Sequence, residues 1–378
     1  MKYYLIAGEA SGDLHASNLI KALSKIDSKA SFRAMGGDLM QASGAVLDFH
    51  YKHMSFMGFF EVVRHLFTIK KRLSDCKSEI RSFEPDALIL IDFSGFNLRI
   101  AKWAKKTGIR VHYYIAPQVW ASRPKRVEAI KENVDHLYVT LPFEPEFYAK
   151  HHYKVSFVGH PLLDALAQTT QTPEAFRSAH QLDDRPIIAL LPGSRTQEIS
   201  RILPPMLSAT HALDNYQVLI AGAPSQDAEA YASYAEKGVQ VIFGATQDLV
   251  KAAHIALVTS GTATLETALL KTPQVVCYKT SPLTYALAKR LVKLKYISLV
   301  NLILDRPCVT ELIQEECTPE NLIQALRRLE EPANRQRMLA QYDELEKRLG
   351  EKGASQRAAK AIYENTLFAH PQASRLSR

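Results

Sequence analysis

His254–Leu270 reads HIALVTSGTATLETALL. A short apolar run, Ile255 to Val258, leads into Ser260-Gly261-Thr262-Ala263-Thr264, and a helical pattern follows at once. That order joins a buried strand to a helix, with the turn at the strand's carboxyl end. Glycine at the join lets the backbone approach a ligand closely, and the first N–H groups of the helix point at whatever sits there. Such a helix start favours an anion by ~0.3–1 kcal/mol before any hydroxyl contact. Glu266 is expected in the first turn, where a carboxylate reaches past phosphates to a ribose. No lysine follows the glycine, so this is not the phosphate loop of ATP hydrolysis. The segment reads as a cradle for a nucleoside diphosphate.

Outward from that unit, short apolar runs alternate with longer amphipathic segments, the signature of βα repeats around a parallel sheet. The expected strands of the first half are Tyr3–Ala7, Ser31–Met35, Ala87–Ile91, Val111–Ile115, His136–Val139 and Val155–Val158. Those of the second half are Ile187–Leu191, Gln217–Ile220, Val239–Phe243, Ile255–Val258 and Gln274–Tyr278. Polar Gln168–Asp184 separates the two sets. The fold class expected is α/β: two Rossmann-like, doubly wound domains facing a cleft. Residues 1–165 form the first, 166–345 the second, and 346–378 a C-terminal helix and tail that packs back on the first. A chain of 378 residues is too long for one ordinary core, which agrees with two domains.

Composition narrows the classes. Apolar residues make up 47% and charged residues 23%, as in a globular protein. The net charge of +8 and pI of about 9.1 favour an anionic partner: nucleic acid, a phosphorylated substrate or an acidic membrane surface. No zinc finger, basic zipper or RNP-type aromatic motif is present, which argues against nucleic acid. Cys76, Cys277, Cys308 and Cys317 have neither zinc-site nor disulfide-framework spacing and read as reduced thiols in a cytoplasm. His112, His151, His152 and His160 form no close ligand set, so no metal site is expected. The N-terminal MKYYLIAGEASGD breaks its apolar run too early for a signal peptide, and no apolar run approaches the ~20 residues of a membrane span.

In doubly wound sheets, ligands bind outside the carboxyl ends of the strands. The unusual residues cluster there. Pro192-Gly193-Ser194-Arg195 ends the strand IIALL, and Arg195 suits a forked grip on phosphate oxygens. A plain strand-to-helix turn with a surface arginine is the alternative. Gly8-Glu9-Ala10-Ser11-Gly12-Asp13 follows the first strand; it reads either as a functional loop or as an N-cap turn. Asp92 ends the strand ALILI at the mouth of the expected cleft. Partly apolar surroundings there raise a carboxylate's proton affinity, which suits a general base; a helix N-cap is the alternative.

Met54–Leu73 (MSFMGFFEVVRHLFTIKKRL) carries one broad apolar helical face. Phe59, Val62, Val63, Leu66, Ile69 and Leu73 form it, Phe60 and Phe67 widen it, and Phe56 and Met57 precede it. Lys70, Lys71 and Arg72 give it a basic end. Such a surface binds a membrane or an acyl chain, or else covers the core with a solvated charged end. Leu283–Leu299, with Lys289, Arg290, Lys293 and Lys295, repeats the basic-amphipathic pattern.

Taken together, AGEASGDLH (7–15), MGGDLM (35–40), MGFFEV (57–62), IDFSGFNLRIAK (91–102), YIAPQVWASR (114–123), LPFE (141–144), FVGHPL (157–162), LLPGSR (190–195), SGTATLE (260–266) and SPLTYALAKRLVKLKYISL (281–299) resemble the lipid-A-disaccharide synthases, glycosyltransferases of the two-Rossmann-domain GT-B type. The likeness runs from Gly8 to about Asn321. Ser122 stands where a second tryptophan is usual, and Val300 where proline often precedes the asparagine matched by Asn301.

The resemblance implies a metal-independent, inverting enzyme without a cofactor. It would join UDP-2,3-diacylglucosamine to 2,3-diacylglucosamine 1-phosphate (lipid X), giving a β-1′,6-linked disaccharide phosphate and UDP. It implies a Gram-negative-type bacterium and peripheral attachment to the cytoplasmic face of the inner membrane; a homodimer is compatible with it. In this scheme Asp92 is the general base. Gly193, Ser194, Arg195, Ser260, Gly261, Thr262, Ala263, Thr264, Glu266 and Asn301 hold the UDP-sugar, while Glu9, Ser11, Gly12 and Asp13 line the acceptor side. A UDP-sugar 2-epimerase and a noncatalytic UDP-sugar sensor are the alternatives; neither needs a diacyl acceptor.

Overall fold

A computed structural model describes residues 1–53, 66–122, 126–166, 171–235, 239–291 and 294–368. The chain divides into two units, Met1–Asp164 with Glu351–Arg378 and Ala165–Gly350. Each is built on one wholly parallel sheet.

The first sheet contains β1 (Lys2–Ala7), β2 (Ser31–Gly36), β3 (Ala45–His50), β4 (Ala87–Ile91), β5 (Val111–Tyr114), β6 (His136–Val139) and β7 (Ser156–Phe157) in the order β3-β2-β1-β4-β5-β6-β7. β4 (ALILI) is buried throughout, as a central parallel strand covered on both faces must be. On one face, the helix Ala10–Ile26 packs against the returning helix Ala354–Leu367, whose Ala358, Ala359 and Ile362 are fully buried. Asp164 fixes that return: its carboxylate accepts from the N–H groups of Gly353 and Ser355 at 2.5 and 3.0 Å. On the other face, Cys76 and Ile80 of the helix Leu66–Phe83 enter the core with Ile100 and Val127.

The second sheet contains β8 (Ile187–Leu191), β9 (Gln217–Gly222), β10 (Gln240–Phe243), β11 (Ile255–Thr259), β12 (Gln274–Tyr278) and β13 (Thr310–Ile313) in the order β10-β9-β8-β11-β12-β13. β8 (IIALL) and β11 (IALVT) are buried at every position.

β3 and β13 were not expected from the sequence. Both are sheet edges, and most of their residues are only half buried. Edge strands lack the continuous apolar run that marks an interior one. The two sheets share a topology. After its first three strands each winding jumps back across the first, so the order reverses between β1 and β4 and again between β8 and β11. Such switch points open a crevice at the carboxyl edge of a doubly wound sheet.

Candidate functional site

In the first unit, the candidate residues flank the β1/β4 switch point. Ala7 pairs with Ile91, and Ile91 pairs with Tyr114, so Gly8, Asp92 and Ile115 emerge side by side. Three non-glycine residues here adopt positive φ: Asp92 (44°), Phe93 (47°) and Ile115 (63°). For β-branched Ile115 this is a true outlier, and such strain concentrates at functional sites. Phe93, not Asp92, is the N-cap of the helix Ser94–Lys106, so Asp92 is free of the capping role. Asp92 keeps exposed surface, yet protein crowds it from most directions. The crowding decides its acidity: burial raises its pKa above the ordinary carboxylate value, with the Phe93 N–H opposing. A proton acceptor strengthened in this way is what a general base requires.

The β1 loop packs directly on this turn. A β-carbon at Gly8 would lie 2.3 Å from the Phe93 ring, so only glycine admits that contact. Glu9 is half buried at the N-cap position of Ala10–Ile26, and Ser11 is exposed. Gly12 is buried against Ala7. Asp13 requires a correction. Its buried carboxylate accepts from the N–H groups of Gly37, Leu39 and Met40 at 2.9, 3.1 and 3.1 Å, so it caps the helix Asp38–Ala42 rather than lining the acceptor side.

Beyond β6, Glu144 is almost fully buried and accepts from the N–H groups of Thr140 and Leu141 at 3.1 and 2.9 Å. Burial pushes its carboxyl up to about 7, against those two bonds and the nearby Trp120 indole. Trp120 meets Phe143 edge-on at 4.9 Å.

In the second unit, Gly193-Ser194-Arg195 and Ser260–Glu266 flank the β8/β11 switch point. Gly193 has φ 103°, and a β-carbon there would meet Glu198 at 2.5 Å. Glu198 was missed by sequence reasoning. Its carboxylate accepts from the Ser194 N–H at 3.2 Å and from the Arg195 guanidinium at 3.1 Å. Those two donors therefore already converge on an anion. Ser225 and Gln226 donate to the Ser194 carbonyl at 2.9 and 3.0 Å, tying in the loop after β9.

The helix Thr262–Leu269 starts without a side-chain cap at Gly261, and Gly261 and Thr262 are exposed. Ala263 is half buried. The Thr264 hydroxyl and N–H both turn back to the Gly261 carbonyl, at 2.8 and 3.1 Å, which brings order to the turn. The Ser260 hydroxyl donates to the Ile297 carbonyl at 3.0 Å. Because the helix begins at Thr262, Glu266 stands at the start of its second turn rather than in the first. It is half buried; burial raises its pKa, and a 2.7 Å bond from Gln247 opposes the shift. Gln247 is a neighbour that the sequence, nineteen residues apart, did not reveal.

Asn301 is the second correction. Its amide donates to the Val309 carbonyl and to Glu311, and its oxygen accepts from the Cys308 and Val309 N–H groups. All four of its hydrogen-bonding positions are thus used inside the unit, and it is 1% exposed. Asn301 organises the loop that precedes β13; it has no donor left for a phosphate or sugar.

Of the apolar segment, Phe56, Met57, Phe59 and Phe60 lie outside the described residues, as does the Phe67 side chain. Lys70 and Lys71 are exposed, and Arg72 rests over the Phe49 ring at 5.5 Å. Leu73, Cys76 and Ile80 carry the apolar face on into the core. Among the described residues no helix is long and apolar enough to cross a membrane. The four cysteines are buried.

Two Rossmann-like sheets, each with polar residues at its switch point, define the GT-B class of nucleotide-sugar enzymes. Solved structures agree on the fold. UDP-GlcNAc 2-epimerase from Methanocaldococcus jannaschii, in complex with UDP-GlcNAc and UDP, matches with a TM-score of 0.64 at 15% identity, covering 96% of this chain and 100% of that one. The glycotransferase of kitacinnamycin matches at 0.63 and 14%, covering 97% and 99%. The sequence identifies the family: the profile described as lipid-A-disaccharide synthetase matches residues 3–365, and the chain belongs to that family. The lipid-A-disaccharide synthase of Syntrophus aciditrophicus (strain SB) is 41% identical over 367 residues, 94% of this chain and 95% of its relative.

Proposed function

We propose that this chain is an inverting glycosyltransferase that joins UDP-2,3-diacylglucosamine to 2,3-diacylglucosamine 1-phosphate, releasing UDP. Family membership supports this over the epimerase and sensor readings. The observation that carries the residue assignment is the placement of Asp92 at one switch point and of Arg195 and Glu266 at the other. The acceptor binds at the first sheet and the donor at the second. The acceptor 6-hydroxyl attacks the anomeric carbon while Asp92 takes its proton. The bond to the diphosphate oxygen breaks on the opposite face, and its electron pair leaves with UDP.

Arg195 and the helix start at Gly261-Thr262-Ala263 meet the charge that develops on the leaving diphosphate. In that complex the diphosphate replaces Glu198 as the partner of Arg195. Glu266 accepts from the ribose hydroxyls, and Glu9 and Ser11 face the acceptor. Exposed Lys70 and Lys71, with Arg72, hold the protein at the anionic inner face of the inner membrane, where both acylated substrates reside. The test is incubation with UDP-diacylglucosamine with and without lipid X. UDP release that requires the acceptor supports transfer; equal release without it refutes the proposal. Asp92→Asn should lower turnover by ~10²–10⁴-fold with UDP affinity kept.

A further inference from the structure

We infer that Asn97 and Tyr113 are positioning residues that clamp the Asp92 carbonyl and so aim its carboxylate, an inference that rests on reading Asp92 as the general base. Consecutive left-handed residues without glycine are unfavourable and persist only where the surroundings over-determine them. Two donors do so here, from different elements. The Asn97 amide, on the helix Ser94–Lys106, donates to the Asp92 carbonyl at 2.8 Å and to the Ile91 carbonyl at 3.2 Å. The Tyr113 hydroxyl, on β5, donates to the same Asp92 carbonyl.

Both side chains are fully buried, so their donors depend on protein acceptors. Asn97 does this at a cost to itself: its own carbonyl oxygen is buried without a partner among the described residues. An apolar side chain of similar volume would avoid that penalty and still fill the space. The amide's donors are therefore the part of Asn97 that the site uses. Phe93 adds a third hold, stacking on Phe96 at 5.5 Å while covering Gly8. The turn is thus held from the β1 loop, from β5 and from its own helix, while Asp92 keeps exposed surface.

Tyr113→Phe removes the hydroxyl, with its bond to the Asp92 carbonyl and its contact with the Asn97 side chain, and keeps the ring that fills the core. Turnover and UDP affinity are to be measured for Tyr113→Phe, Asp92→Asn and the double variant. The clamp predicts a fall in kcat of about tenfold for Tyr113→Phe, UDP affinity and acceptor KM within about twofold, and no further fall in the double variant. Asn97→Leu, which keeps the volume and removes the amide donors, should follow the same pattern. With Asp92→Asn reduced ~10²–10⁴-fold but measurable, an unchanged kcat in Tyr113→Phe refutes the clamp, and so does a further tenfold fall in the double variant. Wild-type turnover in Asp92→Asn alone refutes the base assignment instead, which keeps the two failures apart.

Discussion

Alanine at Gly8 should disable catalysis without touching a group that reacts. Its β-carbon would stand 2.3, 2.4 and 2.5 Å from Cγ, Cδ1 and Cδ2 of Phe93. Carbon atoms in contact sit ~3.5–4.0 Å apart, so the ring must retreat by more than ~1 Å. The atoms struck are at the root of the ring, where rotation about the ring axis brings no relief. Either the Phe93 side chain leaves its stack on Phe96 or the backbone of the turn moves. Overpacking of this kind costs ~1–3 kcal/mol, and the Asp92 carboxylate, one residue back, travels with the turn. A displacement near 1 Å in a reacting group lowers rates by up to ~10²-fold. Gly8→Ala is therefore expected to lose ~10–100-fold in kcat. UDP affinity, which the proposed function assigns to the other unit, should stay within twofold by calorimetry. Trimming the obstacle with Phe93→Leu should shrink the effect of Gly8→Ala. A Gly8→Ala enzyme with kcat within twofold of wild type would refute the coupling of the β1 loop to the Asp92 turn.

Arg195→Ala and Glu266→Gln should each weaken UDP binding by ~10-fold or more in calorimetry while circular dichroism stays unchanged; unaltered affinity removes both from the donor site. Asn301→Ala should cost ~2–4 kcal/mol in urea unfolding, because it strands the buried Cys308 and Val309 N–H groups, both bonded to it now. Burial lowers His15 to about 4, His160 to about 3 and His112 well below 6.5, so the unfolded chain binds more protons below pH 6.5 and their stabilisation, full above 6.5, is lost as pH falls. His15 and His160 each lose ~2 kcal/mol by pH 5 and His112 adds to that loss, while Glu144, raised to about 7, returns ~2–3, so Trp103 and Trp120 fluorescence should report a first unit less stable at pH 5 than at pH 7, and equal stability excludes the argument. Charge reversal at Lys70, Lys71 and Arg72 should reduce sedimentation with anionic vesicles; undiminished binding places the membrane surface elsewhere.

The interior of both sheets was legible because buried parallel strands write themselves as apolar runs: ALILI, IIALL and IALV need no context. Edge strands β3 and β13, half in water, carry Asp48 and Glu311 and give no such run. The places of Asp92, Arg195 and Ser260 at the two switch points were legible as well, since each follows a recognisable strand. The partners that set those residues were not. Tyr113 meets Asp92 from 21 residues away, and Gln247 meets Glu266 from 19. Asp13 and Asn301 mislead for the same reason. Each is a polar residue in a distinctive motif, and each spends its hydrogen bonds on groups outside that motif: the Gly37, Leu39 and Met40 backbone for Asp13, and the Cys308 and Val309 backbone with the Glu311 carboxylate for Asn301.

The two switch points use opposite means, and the proposed chemistry accounts for the difference. At β8/β11 the task is to hold an anion, which main-chain N–H groups and a helix start perform well. Glycine is then free to occupy the unusual backbone positions, and Gly193 and Gly261 do. At β1/β4 the task is to accept a proton, which no main-chain group performs at neutral pH. A side chain must therefore stand at the turn, although a φ of 44° favours glycine there. Glycine at position 92 would relax the backbone and delete the carboxyl. The strain at Asp92 and Phe93 is the consequence, and the buried donors of Asn97 and Tyr113 are what hold the base in a conformation its own backbone would leave.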